Sequence, residues 1–189
     1  MQTVLTYPSF YPPPPQLPDY YYHWSRDSAL TMRTLADAYV DATTTNPNPT
    51  EAARLAALLK TWIAFEGGLQ QIDTLTGTAA SGDNVGEPKW VIDGTDFTGP
   101  WGRPQNDGPG LRATTMVRFL DAYLDATGDA QYVQKVAGQV KKDLDYVVRH
   151  INDKAIDLWT WQDLTEPEPC LAPETILSGG RSDVRRDEK

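Results

Sequence analysis

The chain has 189 residues, 40% hydrophobic and 23% charged, enough for one domain with a buried core and an ordinary balance for a soluble fold. Its formal net charge of -9 comes without a visible basic patch, which argues against a nucleic-acid partner held by phosphate neutralisation. The longest apolar run falls far short of a membrane span, which argues against a membrane partner.

Met1 to Phe10 has neither a basic n-region nor a continuous apolar stretch, so it is no recognisable signal peptide; the protein is cytosolic or begins after its targeting segment. Residues 1–18 read as an extended lead-in. The proline run Pro12 to Pro15 favours polyproline II, and a linker is a simpler reading than a ligand for a proline-binding domain. Next, Tyr20-Tyr21-Tyr22-His23-Trp24 places aromatic rings just before Ser25-Arg26-Asp27-Ser28. From Ala29, apolar side chains at Leu30, Leu35, Ala38, Tyr39 and Ala42 keep helical spacing. Arg26 and Asp27 therefore sit near a helix N-terminus. They read either as an ordinary first-turn ion pair or as side chains delivered to a site.

Asn46-Pro47-Asn48-Pro49 ends this helix and opens the second, with Thr50 as its N-cap. Its stripe of Ala52, Leu55, Leu58, Leu59, Trp62, Ile63 and Phe65 reads as core, and Gly67-Gly68 weakens or closes it. Residues 73–110 are rich in Gly, Asp, Thr and Pro. So long a connection with this many aromatics points to a functional loop.

That loop ends in Trp101-Gly102-Arg103-Pro104-Gln105-Asn106-Asp107-Gly108-Pro109-Gly110-Leu111-Arg112. Rings beside polar forks suit flat ligands with many hydroxyls, which stack on one face and hydrogen-bond at the edge. The same stretch also reads as a surface loop capping the helix that follows. The third helix is predicted from about Leu111 to Ala126, carrying Met116, Phe119, Leu120, Tyr123 and Leu124, with Gly128 as a stop. A fourth starts near Asp129 and carries Tyr132, Val133, Val136, Val140, Leu144, Val147, Val148 and Ile151. No convincing strands appear, so the class is all-α, built from helical hairpins. Residues 160–189 are polar, Pro- and Gly-containing, and read as a poorly ordered tail. The single Cys170 excludes an intrachain disulfide, and His23 and His150 have no metal-ligand spacing.

Four motifs together resemble fungal glucoamylases of glycoside hydrolase family 15: Tyr20 to Ser28, Gly86-Glu87-Pro88-Lys89, Trp101 to Arg112, and Asp157-Leu158-Trp159. The likeness runs from about Pro18 to Trp159. It implies that residues 19–159 are the N-terminal part of an (α/α)6 barrel, an incomplete one holding its first helical hairpins. It also implies an inverting release of glucose from the non-reducing ends of α-1,4-glucans, with no metal or organic cofactor. By the same resemblance, Arg26 and Asp27 grip hydroxyls of the terminal glucose, while Tyr20 and Trp24 line its pocket. Trp101 contacts substrate beside the scissile bond, and Leu158 and Trp159 border the site.

One departure concerns the chemistry. Inverting hydrolysis needs a carboxylic acid and a carboxylate base roughly 6.5–9.5 Å apart. The family's acid is the glutamate following Asp-Leu-Trp in the pattern Asp-Leu-Trp-Glu-Glu, where this chain has Thr160 and Trp161. Asp157 matches the aspartate of that motif, which is not the principal acid, and the family's base glutamate lies in a part of the domain this chain does not contain. The expectation is a truncated, inactive fragment; the alternatives are a non-catalytic carbohydrate-binding protein or a helical interaction domain. Secretion is implied by the resemblance alone. No Asn-X-Ser/Thr site is present, since Asn46 and Asn48 are each followed by proline.

Overall fold

A computed structural model of the chain describes residues 21–153 and 155. The expected lead-in, the segment Asp157 to Thr160 and the tail lie outside the described residues. The element order is β1 (His23–Trp24), α1 (Ser25–Thr43), α2 (Pro49–Leu69), a 3-10 turn (Asp83–Gly86), β2 (Lys89–Trp90), α3 (Asp107–Thr127) and α4 (Ala130–His150). The all-α reading holds, with one addition: β1 and β2 form a short antiparallel pair, His23 opposite Trp90 and Trp24 opposite Lys89. Each strand is two residues long, too short to leave an alternating pattern in the sequence.

Helix boundaries differ from the predicted ones for physical reasons. α1 begins at Ser25 rather than Ala29. Its first amide is satisfied from a distance, by Pro88 O at 3.0 Å, and Ser25 Oγ donates to Glu87 O at 2.8 Å, so no local cap was needed. α2 is capped by Asn48, not Thr50; the Asn48 side chain accepts from Glu51 N at 3.1 Å, with Pro49 at the first helical position. The helix continues through Gly67-Gly68. Gly67 leaves room for a side chain of α4: a Cβ there would lie 2.3 Å from the Gln139 side chain. α3 starts at Asp107, with Pro109 tolerated in the first turn, and stops at Gly128 in the left-handed region (φ 69°). α4 is capped by Asp129, which accepts from Tyr132 N at 3.1 Å.

α1 packs chiefly on α3, with α2 against α1 and α4 against α3. Tyr39, Leu55, Leu59, Ile63, Met116, Phe119, Tyr123 and Val136 form the apolar core, and Trp62 joins it as expected. Several residues assigned to apolar stripes instead face solvent, including Leu30, Ala38, Leu58, Leu144, Val148 and Ile151. Polar groups occupy interior positions in their place. Arg112 is buried and donates from Nη1 to Glu66 Oε2 at 2.9 Å, and from Nε and Nη2 to Asp143 at 2.8 and 2.5 Å. Gln70 Nε2 donates to Asp143 Oδ1 at 2.9 Å. Glu66 Oε1 accepts from Trp62 Nε1 and Ser28 Oγ at 2.9 and 3.0 Å. His23 Nε2 lies 3.0 Å from the same oxygen, an ion-pair distance without hydrogen-bond alignment.

Burial alone would raise the Glu66 carboxyl, but the adjoining His23 imidazole and the Arg112 charge hold it down at about 2. Burial pushes the Asp143 carboxyl up despite the same arginine. Stabilisation from Glu66 is complete above the ordinary value of 4.5 and is lost as pH falls from there to about 2. Asp143 has the opposite sign, its contribution weakening as pH rises past 3.8. In urea titrations, the stability gap between wild type and Glu66→Gln is therefore expected to narrow between pH 4.5 and about 2. Arg112→Met strands two buried carboxylates and is expected to cost about 3–5 kcal/mol near neutral pH.

Outside the core, α3 and α4 leave an apolar groove of about 430 Å³ lined by Val117, Leu120, Leu124, Val133, Ala137 and Leu144, among others. Surface of this kind binds hydrophobic dyes. An anilinonaphthalene dye is expected to brighten with the folded chain, and Leu144→Glu to remove most of that signal at unchanged helix content.

Candidate functional site

The long loop is held in place at several points. Asn84 Nδ2 donates to Gln70 O and Ile72 O at 3.1 and 2.8 Å, and Arg149 Nη2 reaches Asp83 at 3.1 Å. Its second half returns to the start of α1, so the first three motifs of the sequence meet in one place.

The β1–β2 pair sets Trp24 beside Lys89, and the loop after β2 brings Trp101 onto Trp24 with ring centroids 5.0 Å apart. Tyr22 and Phe97 close the group, 5.2 Å apart and edge to face. Lys89 lies inside it, 3% exposed, with Nζ 3.9 Å from the Tyr22 ring centroid, 4.0 Å from Phe97, 4.4 Å from Trp101 and 5.1 Å from Trp24. Four electron-rich faces around one ammonium attract it through their quadrupoles and offset part of the cost of its burial. In the sequence, Lys89 is marked only as a lone lysine between Pro88 and Trp90 in an aromatic loop.

Arg26 follows Ser25 in the first turn of α1. Its Nε donates to Asp107 Oδ2, so its partner comes from the far stretch. This corrects the first-turn pairing of Arg26 with Asp27. Asp27 is exposed in the first turn, where its charge faces the helix N-terminus. Gly108 allows α3 to begin against α1: a Cβ there would sit 3.2 Å from Ser25 Cβ.

Trp24, Arg26, Asp27 and Trp101 are thus gathered by the start of α1 and the stretch preceding α3. Tyr20, Asp157, Leu158, Trp159 and Thr160 lie outside the described residues. Among the described residues, no group of three His, Cys, Asp or Glu side chains is placed to hold a metal ion. What remains is a surface of half-buried indole rings beside a guanidinium and carboxylates, suited to a polyhydroxylated ring.

Comparison with known proteins gives this surface a family. The model for glycosyl hydrolases family 15 matches residues 12–166, wider at both ends than the span carried by the four motifs. The chain belongs to that family, and its four helices are part of an (α/α)6 fold. Glucoamylase-1 of Schizophyllum commune is 40% identical over 143 residues, which is 75% of this chain and 23% of that protein. Glucoamylase 1 of Rhizopus oryzae is 42% identical over 143 residues, 75% of this chain and 22% of that protein. The solved glucoamylase of Hormoconis resinae superposes with a TM-score of 0.67 at 36% identity, over 77% of this chain and 23% of that one. The chain therefore spans about a quarter of the length of these relatives. No described helix is long and apolar enough to cross a membrane.

Lys89→Met keeps the bulk and removes the charge. It is expected to lower stability by about 2 kcal/mol, as for a desolvated cation–π group, read from thermal or urea unfolding.

Proposed function

We propose that this chain forms the sugar-gripping wall of a glucoamylase-type site, binding non-reducing ends of α-1,4-glucans and not hydrolysing them as a 189-residue chain. The observation that favours this reading is the convergence of Trp24, Trp101 and Lys89 beside Arg26 and Asp27, all in motifs shared with glucoamylases. In this role, the indole faces of Trp24 and Trp101 stack on glucose rings. The Arg26 guanidinium and Asp27 carboxylate hold hydroxyls by charge-assisted hydrogen bonds, the former donating and the latter accepting. Tyr20, Leu158 and Trp159 extend the same wall on the family likeness.

Inactivity follows from the missing acid. Thr160 stands where the family has its proton-donating glutamate, and a threonine hydroxyl does not ionise near neutral pH. Asp157 is the motif's remaining carboxyl. No nucleic acid or membrane is invoked, and secretion is proposed on family likeness.

Calorimetry with maltose and acarbose tests the grip. Wild type is expected to bind, and Arg26→Ala and Trp101→Ala each to weaken binding at least about tenfold, roughly 1.4 kcal/mol. Absence of binding to the folded wild type would overturn the reading. Release of glucose from maltose by the purified chain would overturn the claim of inactivity.

A further inference from the structure

The residues between β1 and the Trp101 loop are joined by one buried carboxylate. Glu87 is fully buried, and both of its oxygens accept from Arg103 Nε, at 2.9 and 2.7 Å. Thr76 Oγ1 donates to Glu87 Oε2 at 2.8 Å. The rest of the Arg103 fork goes to main-chain carbonyls of a single loop: Nη1 to Gly99 O and Trp101 O at 3.1 and 3.3 Å, and Nη2 to Phe97 O at 2.6 Å. Phe97 and Trp101 are two of the four rings around Lys89.

The main chain at Glu87 faces the other way. Glu87 O accepts from Ser25 Oγ, Pro88 O accepts from Ser25 N at 3.0 Å, and Gly86 O accepts from Gln105 N at 3.1 Å. Ser25 lies between Trp24 and Arg26. Glu87 and Pro88 therefore fix the start of α1 through their backbone, while the Gly86 carbonyl and the Glu87 side chain hold the Trp101 stretch.

We infer that Glu87 and Arg103 are positioning residues for the aromatic wall: the pair sets the Trp101 ring against Trp24, while the helical core folds independently of it. That these rings face sugar rests on the function proposed above; that the pair places them does not. Lysine at 103 keeps the charge opposite Glu87 but has no planar fork for three carbonyls, so the conservative change separates ion pairing from positioning.

The test uses the full chain and two readouts. Two indoles 5.0 Å apart and inclined at 63° couple as an exciton pair, visible in circular dichroism and assignable from Trp24→Phe and Trp101→Phe. Arg103→Lys is expected to lose most of that signal and to weaken maltose binding at least about tenfold, with the helical melting transition retained. A wild-type exciton signal in folded Arg103→Lys would overturn the inference, and weakened binding alongside it would indicate that Arg103 meets sugar directly. Loss of the signal when wild type itself binds no maltose would uphold the positioning role and remove the sugar reading instead. Should Arg103→Lys fail to melt cooperatively, Glu87→Gln decides: partial loss of the signal with folded helices upholds the inference, and full retention overturns it.

Discussion

The structure depends on burying one guanidinium. Arg112 enters the interior from α3 and is met by Glu66 of α2 and Asp143 of α4, both fully buried. An unpaired charge there would be prohibitive, so the three helices are compatible with one another only in the arrangement that closes this cluster. Its effect reaches the surface. Glu66 also holds Ser28 of α1 and abuts His23 of β1, so the cluster fixes where the N-terminal motif leaves the core. The next residue, Trp24, is one of the rings of the candidate site.

A second, smaller system works outward from there. Glu87 and Arg103 organise the loop around Trp101, and Lys89 fills the space among the rings with its ammonium. Polar groups thus specify the geometry, while apolar contacts such as Tyr39 on Phe119 supply most of the burial.

Much of this was legible in the sequence. Four helices, the stop at Gly128, a fourth helix starting near Asp129 and the ordered long loop follow from periodicity, turn chemistry and aromatic content. So does the meeting of Trp24 with Trp101, once their motifs are seen to belong to one family. The rest was hidden for identifiable reasons. Glu66, Arg112 and Asp143 look like solvent-facing charges in a helical pattern, because burial of a charge depends on partners remote in sequence. Leu144 and Val148 look like core for the converse reason. The early start of α1 depends on Pro88 O, and the partner of Arg26 is 81 residues away; local rules contain neither fact.

The central claim is that Trp24 and Trp101 form a sugar-binding face on the folded helices of this member of glycosyl hydrolases family 15. Its most direct test is an NMR titration with maltose following the assigned indole N–H resonances. The expected result is saturable shifts of the Trp24 and Trp101 signals, with those of Trp62 and Trp90, both buried, unchanged. Unmoved Trp24 and Trp101 resonances in a well-dispersed spectrum would contradict the account.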